Sequence, residues 1–264
     1  MMGPDPLPLV LTAYLVMAVV MAGFWALQLR VRNASIADVG WCLGLIAVVL
    51  WYVTQATGGV ERKMLVALLV VLYAGRLGLH ILLNRVIGKA EDARYRRLRE
   101  RWGASESARM FWYFQLQALA VAAFSLPFLV LIQNPRPSFA LVELVGLLLW
   151  GTAVFGEARA DRQLAQFRAR PLNQDRVCRD GLWYYSRHPN YFFEWLHWWA
   201  YVVMAVGTPG WLLTWIGPVV MGWALLKVTG IPPAEAQALT SRGEDYRQYQ
   251  RTTNAFAPWF PKKP

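Results

Sequence analysis

The chain has 264 residues, of which 56% are hydrophobic and only 16% charged, against about a quarter charged in a soluble domain. Mean hydropathy is +0.29, and charge is nearly absent from seven long blocks yet dense between them. An ordinary water-soluble globule is thereby excluded. The net charge of +11 sits in loops between apolar blocks, so it argues for membrane topology and against a nucleic-acid partner.

Apolar blocks of about 20 residues match the hydrocarbon thickness that one helix crosses. They fall at about Leu7–Leu29, Asp38–Gln55, Met64–Val86, Phe111–Ile132, Phe139–Phe155, Tyr191–Val206 and Trp211–Val228. The expected architecture is all-α: a polytopic membrane protein of seven transmembrane helices in a single domain spanning 1–264. The N-terminus lacks a basic n-region and its first block is long enough to span, so that block reads as a helix and not a cleaved signal. Of 27 Lys and Arg, 23 lie on one side of the alternating loops and only Arg62, Lys63 and Arg136 on the other. This bias places the N-terminus outside and the C-terminus in the cytoplasm. Cys42 and Cys178 are too few for a disulfide scaffold or a zinc site, which takes about four ligands.

Ionisable residues at membrane depth usually face a bundle interior or a wet cavity. The second span opens with Ser35, Asp38 and Trp41 on one helical face, and the third carries Tyr73, Arg76 and His80 on another. Gln115 and Gln117 in the fourth point about 200° apart, so at most one shares a given cavity. The basic run Gly88–Arg109 reads as an amphipathic continuation of the third span, anchored at anionic lipid. After the fifth span, Glu157, Asp161 and Arg168 form one stripe on a helix that continues past the bilayer, with Leu164 and Phe167 free to pack on the bundle. Acids and arginines on one stripe can also simply pair with each other.

The densest signal is D-G-L-W-Y-Y-S-R-H-P-N-Y-F-F-E-W at Asp180–Trp195. Pro189 has no amide hydrogen to lose, which suits the first turn of a helix. That helix entrance can hold an anion, with Arg187 and His188 adding charge. Asn190 and Glu194 lie four apart on one face, and a carboxylate there needs a partner or a task. A basic interfacial anchor before a membrane helix is the plainer alternative. Arg168, Arg176 and Arg187 beside a helix N-terminus suit phosphates, because guanidinium recognises them in a planar, bidentate way. His197, one turn after Glu194, reads as its pairing partner. Nucleotide-loop, zinc-protease and nucleophile-elbow motifs are missing, and His80, His188 and His197 lie too far apart to argue for a metal.

The combination E-x-x-x-D-x-Q-L-x-x-F-R from Glu157 with G-L-W-Y-Y-S-R-H-P-N-Y-F-F-E at Gly181–Glu194 resembles the steroid 5α-reductase family, and in particular its bacterial, DUF1295-type branch. N-A-S-I-A-D-V-G-W at Asn33–Trp41, G-K-x-E-D-A-R-Y at Gly88–Tyr95 and E-D-Y-R-Q-Y-Q-R at Glu244–Arg251 are similar as well, so the likeness touches most of the chain. The resemblance implies a seven-helix membrane oxidoreductase that uses NADPH to reduce the Δ4 double bond of a 3-oxo steroid or similar lipidic enone. It implies substrate-side helices over about 7–132 and an NADPH-binding half over about 139–264. The family's cofactor residues map onto Asn190, Glu194, Asp161, Arg168, Arg176 and Tyr185. Its ketone-binding tyrosine maps onto Tyr73, and its acidic partner, a Gln-Glu pair, onto Ala37-Asp38. Glu157 stands where the family has Asn.

The chemistry is consistent with that likeness. Conjugate hydride delivery to an enone builds negative charge on the ketone oxygen, and a phenol in a dry bundle is suited to stabilise it. Asp38 is placed to orient the phenol or share its proton network. R-H-P-x-Y before an apolar helix ending in an acid is also similar to isoprenylcysteine carboxyl methyltransferases, which use S-adenosylmethionine. That cofactor carries no phosphates, so the additional arginines favour a dinucleotide, and a 2′-phosphate favours NADPH over NADH. A transporter is disfavoured because neither inverted repeats nor midplane breaks are visible.

Overall fold

The computed structural model describes residues 6–136, 139–173 and 175–262. The stretch 1–5, on which the signal-peptide reading rests, lies outside them. The described chain is about 80% helical without a strand, so the all-α expectation holds. The helices are α1 Pro6–Val31, α2 Ile36–Gln55, α3 Val60–Ile81, α4 Ala93–Trp102, α5 Glu106–Ile132, α6 Leu141–Arg168, the single turn α7 Leu182–Tyr185, α8 Pro189–Met204, α9 Ile216–Trp223 and α10 Ile231–Thr252.

Among the described residues, six helical runs are long and apolar enough to cross a membrane: Pro6–Val31, Ile36–Gln55, Val60–Val86, Ala93–Ile132, Leu141–Arg168 and Trp211–Thr252. The protein is an integral membrane protein. Its helices carry side chains that water would not tolerate in such numbers, such as Leu15 at 62% and Val19 at 74% exposure on α1. The helix under the predicted span Tyr191–Val206 is α8, whose 16 residues reach only about 24 Å at 1.5 Å per residue. By contrast α6, with 28 residues, reaches about 42 Å. The predicted span Phe139–Phe155 covers only its first half, and the rest carries the polar stripe onward.

Two compact units divide the chain: residues 1–139 with 207–214, and 140–206 with 215–264. In the first unit α1 packs on α5, and α2 on both α3 and α5. Its core is filled by Met17, Met21, Leu45, Tyr52, Tyr73, Phe114, Phe128 and Leu129, all fully buried. A hydroxyl pair in that layer, Tyr52 with Ser125 at 2.9 Å, satisfies what would otherwise be stranded donors. In the second unit α6 packs along α8, and α8 on α9. A Cβ on Gly146 would stand 2.3 Å from Met204 Cγ, and one on Gly156 2.5 Å from the Phe193 ring. Glycine at these two positions lets the helix backbones approach, as membrane helices require when there is no hydrophobic drive between them.

One expectation is corrected. The basic run Gly88–Arg109 does not continue the third span. The α3 helix ends at Ile81, a wider turn follows over Leu82–Val86, and Ile87 becomes extended. Gly88 then takes a φ of +64°. A new helix starts behind Asp92, whose carboxylate accepts from the Arg94 amide at 2.9 Å. A left-handed glycine and an N-cap carboxylate four residues later are stop and start signals. They override the amphipathic pattern, and α4 leads instead into α5.

Candidate functional site

The Asp180–Trp195 motif is built as a clamp between α6 and α10, wholly inside the second unit. At the end of α6, Phe167 and Leu164 pack on Cys178 and Trp183. The Trp183 indole donates to the Ala160 carbonyl at 2.9 Å, and the Leu182 amide donates to Gln163 Oε1 at 3.0 Å. Gly181 makes the turn with φ +57°, and a Cβ there would meet the Gln163 amide at 2.1 Å. No residue with a side chain replaces it without strain. Burial pushes the Cys178 thiol above its ordinary pKa, only partly offset by the Asp180 amide and Arg168.

From the other side, α10 bends at Gly243 (φ +51°) and presents Asp245 to the Val177 amide at 3.0 Å and to Arg179 at 2.8 Å. The Tyr249 hydroxyl is shared between the carbonyls of Trp183 and Ser186. The C-terminal strap completes the grip. The Arg187 amide donates to the Asn254 carbonyl at 2.8 Å, and the Trp259 amide to the Tyr185 carbonyl at 2.9 Å. The Ser186 hydroxyl donates to the Phe256 carbonyl at 2.7 Å and accepts from the His188 amide at 3.1 Å.

As expected, Pro189 opens α8, with His188 as its N-cap. The cations before it are not loose. Arg187 meets Glu235 at 2.7 Å and also donates to the carbonyls of Gln250 and Thr253. His188 Nε2 lies 3.3 Å from the same carboxylate, while Gln250 donates to its other oxygen at 2.7 Å. The His188 ring stacks flat on Tyr191. Burial pulls the His188 pKa below its ordinary value, the Glu235 bond and charge opposing this and Arg187 reinforcing it. Glu235 is the residue that sequence reading missed. It lies 47 positions away, outside every quoted motif, and only the fold of α10 brings it in.

One turn into α8, Asn190 donates to Asp161 of α6 at 3.1 Å. Glu157 and Glu194 are both buried on these two helices, and Glu194 accepts from the Trp198 indole at 3.0 Å. Deeper along α8, His197 Nε2 lies 3.0 Å from the Tyr201 hydroxyl, which also accepts from Trp150 at 3.3 Å. Arg168 ends α6, exposed. The following turn folds back on the helix end, with Asn173 donating to the Phe167 carbonyl at 2.9 Å. Arg176 comes next, also exposed, its carbonyl taking Arg242 at 2.8 Å. Tyr185 is half-exposed against Tyr184 and Phe260. An amide, three carboxylates and two exposed guanidinium groups thus lie along α6, the turn after it and the entrance of α8. Such a donor and acceptor set fits a ligand that carries both hydroxyls and phosphates.

Tyr73 and Asp38 belong to the first unit. Tyr73 is fully buried in α3. The Asp38 carboxylate accepts from the Tyr95 hydroxyl at 2.8 Å and from Arg94 at 2.9 Å, so α4 supplies its partners. Tyr95 in turn packs edge-on against Tyr113 at 5.6 Å. Arg94 and Tyr95 lie within the Gly88–Tyr95 run, and they reach Asp38 from the start of α4, a helix separate from α3. Gln115 donates to the Ala18 carbonyl at 3.3 Å on α1. Among the described residues there is no group of three or more His, Cys, Asp or Glu that could hold a metal ion.

Fold and site together define a polytopic α-helical membrane protein with a clamped, polar helix entrance on its C-terminal half. The family described as protein of unknown function (DUF1295) matches residues 24–253. The chain belongs to that family, the one to which its motifs pointed. No curated protein and no solved structure matches it.

Proposed function

We propose that this protein is an NADPH-dependent reductase of a lipidic enone, the C=C bond of a 3-oxo steroid or a similar molecule. The observation that carries the proposal is the Asn190–Asp161 hydrogen bond of 3.1 Å. It ties the entrance of α8 to the acidic stripe of α6, two turns before the exposed Arg168 at the helix end. In this reading Arg168 and Arg176 take phosphates, while Asp161, Asn190, Glu157 and Glu194 take hydroxyl and carboxamide groups. Tyr185 flanks the entrance. Arg187 and His188 are assigned to holding that entrance through Glu235, since their polar atoms are already engaged. NADPH, when bound, supplies the hydride.

Tyr73 is assigned the proton-donor role. A buried phenol donates a hydrogen bond to the ketone oxygen as negative charge grows there, in surroundings that keep water away. Asp38, fixed by Tyr95 and Arg94, acts as a positioning carboxylate. The apolar helices admit the substrate from lipid. The proposal includes seven crossings, with the short α8 as the sixth, the N-terminus outside and the C-terminus and cofactor mouth cytoplasmic. The 23-to-3 distribution of basic residues supports this orientation.

Arg187's engagement removes one arginine from the phosphate set, and this favours the second reading, a methyltransferase using S-adenosylmethionine. One experiment separates them. Purified protein is incubated with a Δ4-3-oxo steroid and NADPH while 340 nm absorbance is followed, with S-adenosylmethionine replacing NADPH in parallel. Oxidation of NADPH with formation of the saturated ketone is expected. Methylated product without NADPH oxidation overturns the reductase assignment.

A further inference from the structure

A cavity of about 580 Å³ lies within the first unit, lined by none of the residues assigned above. Its walls are Phe24 and Leu27 of α1, Ile36 and Val39 of α2, and Leu82 and Val86 at the end of α3. Its size falls in the range of ligand sites, roughly 300–1,000 Å³. Arg32, Asn33, Lys89 and Glu91 also line it, so an apolar well carries a charged rim.

The rim is built, and its charge is unbalanced. Asn33 donates to the carbonyls of Arg85 and Lys89 at 3.3 and 3.4 Å and accepts from the Ser35 amide at 3.0 Å, which fixes the Ile87–Glu91 loop over the start of α2. Glu91 accepts from the Ala34 amide at 2.7 Å and from Arg99 at 2.9 Å. Asp92 is met by Arg94 and Arg85. Every rim acid is thus neutralised. Arg32 and Lys89 remain exposed, and no acid among the described residues pairs with either. Arg32 also holds a φ of +52°, a region that non-glycine residues occupy only when the surroundings impose it and that concentrates at functional positions. It ends α1 abruptly and brings the guanidinium to the cavity.

We infer that this cavity binds an anionic membrane phospholipid, with an acyl chain in the well and its phosphate between Arg32 and Lys89. A soluble phosphate has no use for the apolar walls. A chain can enter sideways from the bilayer past Leu27 and Val31, which are 46% and 50% exposed on α1. A zwitterionic lipid gains less from two uncompensated cations, each worth about a decade of affinity or less near an anionic headgroup.

The test uses the full chain in detergent, titrated with phosphatidylglycerol, phosphatidylcholine or palmitate, and native mass spectrometry of the bound species. Phosphatidylglycerol should bind roughly tenfold or more tightly than phosphatidylcholine. The double variant Arg32→Gln, Lys89→Gln should bring the two within about twofold, at an unchanged melting temperature. Val39→Trp, which fills the well, should weaken both lipids together. Equal binding of the two lipids by the parent overturns the inference, and so does a preference that survives the double variant. Palmitate binding as tightly as phosphatidylglycerol would assign the site to a free fatty acid instead.

Discussion

At the scale of single residues, Glu235 governs the entrance of α8. Its carboxylate holds Arg187, whose side chain is only 11% exposed, together with His188 and Gln250. Truncating one partner of a buried ion pair strands the other charge, so Glu235→Ala should lower stability by about 3 kcal/mol. Denaturant titration in detergent would measure this, and a change below about 0.5 kcal/mol would refute it. The same cluster sets a pH dependence. Burial depresses the His188 pKa in the fold, so as pH falls through about 6.5 the unfolded chain takes up a proton before the folded one. Stability from this group is therefore complete above pH 7 and lost as pH drops below about 6.5. His188→Gln should flatten the melting temperature between pH 7 and pH 5 relative to the parent. In the proposed reductase, Arg168→Ala removes a phosphate contact and should raise KM for NADPH roughly tenfold or more. Tyr73→Phe should lower kcat about 100-fold or more with little change in NADPH binding.

Between elements, α6 packs along α8 over an extended face. Gly146→Val would push a side chain into Met204 and the Ala200 carbonyl, the latter 2.9 Å from its Cβ. That carbonyl belongs to a helix and cannot step aside, so a loss of about 1–3 kcal/mol is expected. Gly151 on the same helix has nothing within 4 Å of its Cβ position. Gly151→Val should therefore stay within about 0.5 kcal/mol. Equal effects of the two substitutions on thermal stability would mean that helix propensity and not packing is at issue. The start of α4 follows a different logic. Burial would raise the Asp92 pKa, but Arg94 through charge and two hydrogen bonds, and Arg85 beyond it, hold it below the ordinary carboxylate value. The cap thus stays ionised at neutral pH, when an accepting oxygen is what the helix start requires.

For the whole molecule, the distribution of basic residues makes a topological statement that labelling can check. In a background with Cys42 and Cys178 replaced by alanine, Gly59→Cys, Ser105→Cys and Thr240→Cys place single thiols at exposed positions. In spheroplasts an impermeant maleimide should label position 59 alone, and positions 105 and 240 only after lysis. The reverse pattern would invert the proposed orientation and move the cofactor mouth to the outer face.

The sequence by itself determined what depends on local pattern. Apolar blocks of membrane length, the loop bias of arginine, the helix entrance at Pro189 and the stripe Glu157–Asp161–Arg168 all follow from spacings of a few residues. Gly88 and Asp92 were visible too, yet the amphipathic pattern around them concealed the break. The tertiary structure alone decided which distant groups neutralise the motif's charges. Arg187 was legible as a cation, but whether it waits for a phosphate or holds Glu235 depends on a contact 48 positions apart. Asp38 likewise was legible as an acid at membrane depth, and only the turn into α4 gives it Tyr95 and Arg94. The reason is physical: helical periodicity is written along the chain, whereas the partner of a buried charge is fixed by how separate helices pack, and no short-range spacing encodes that.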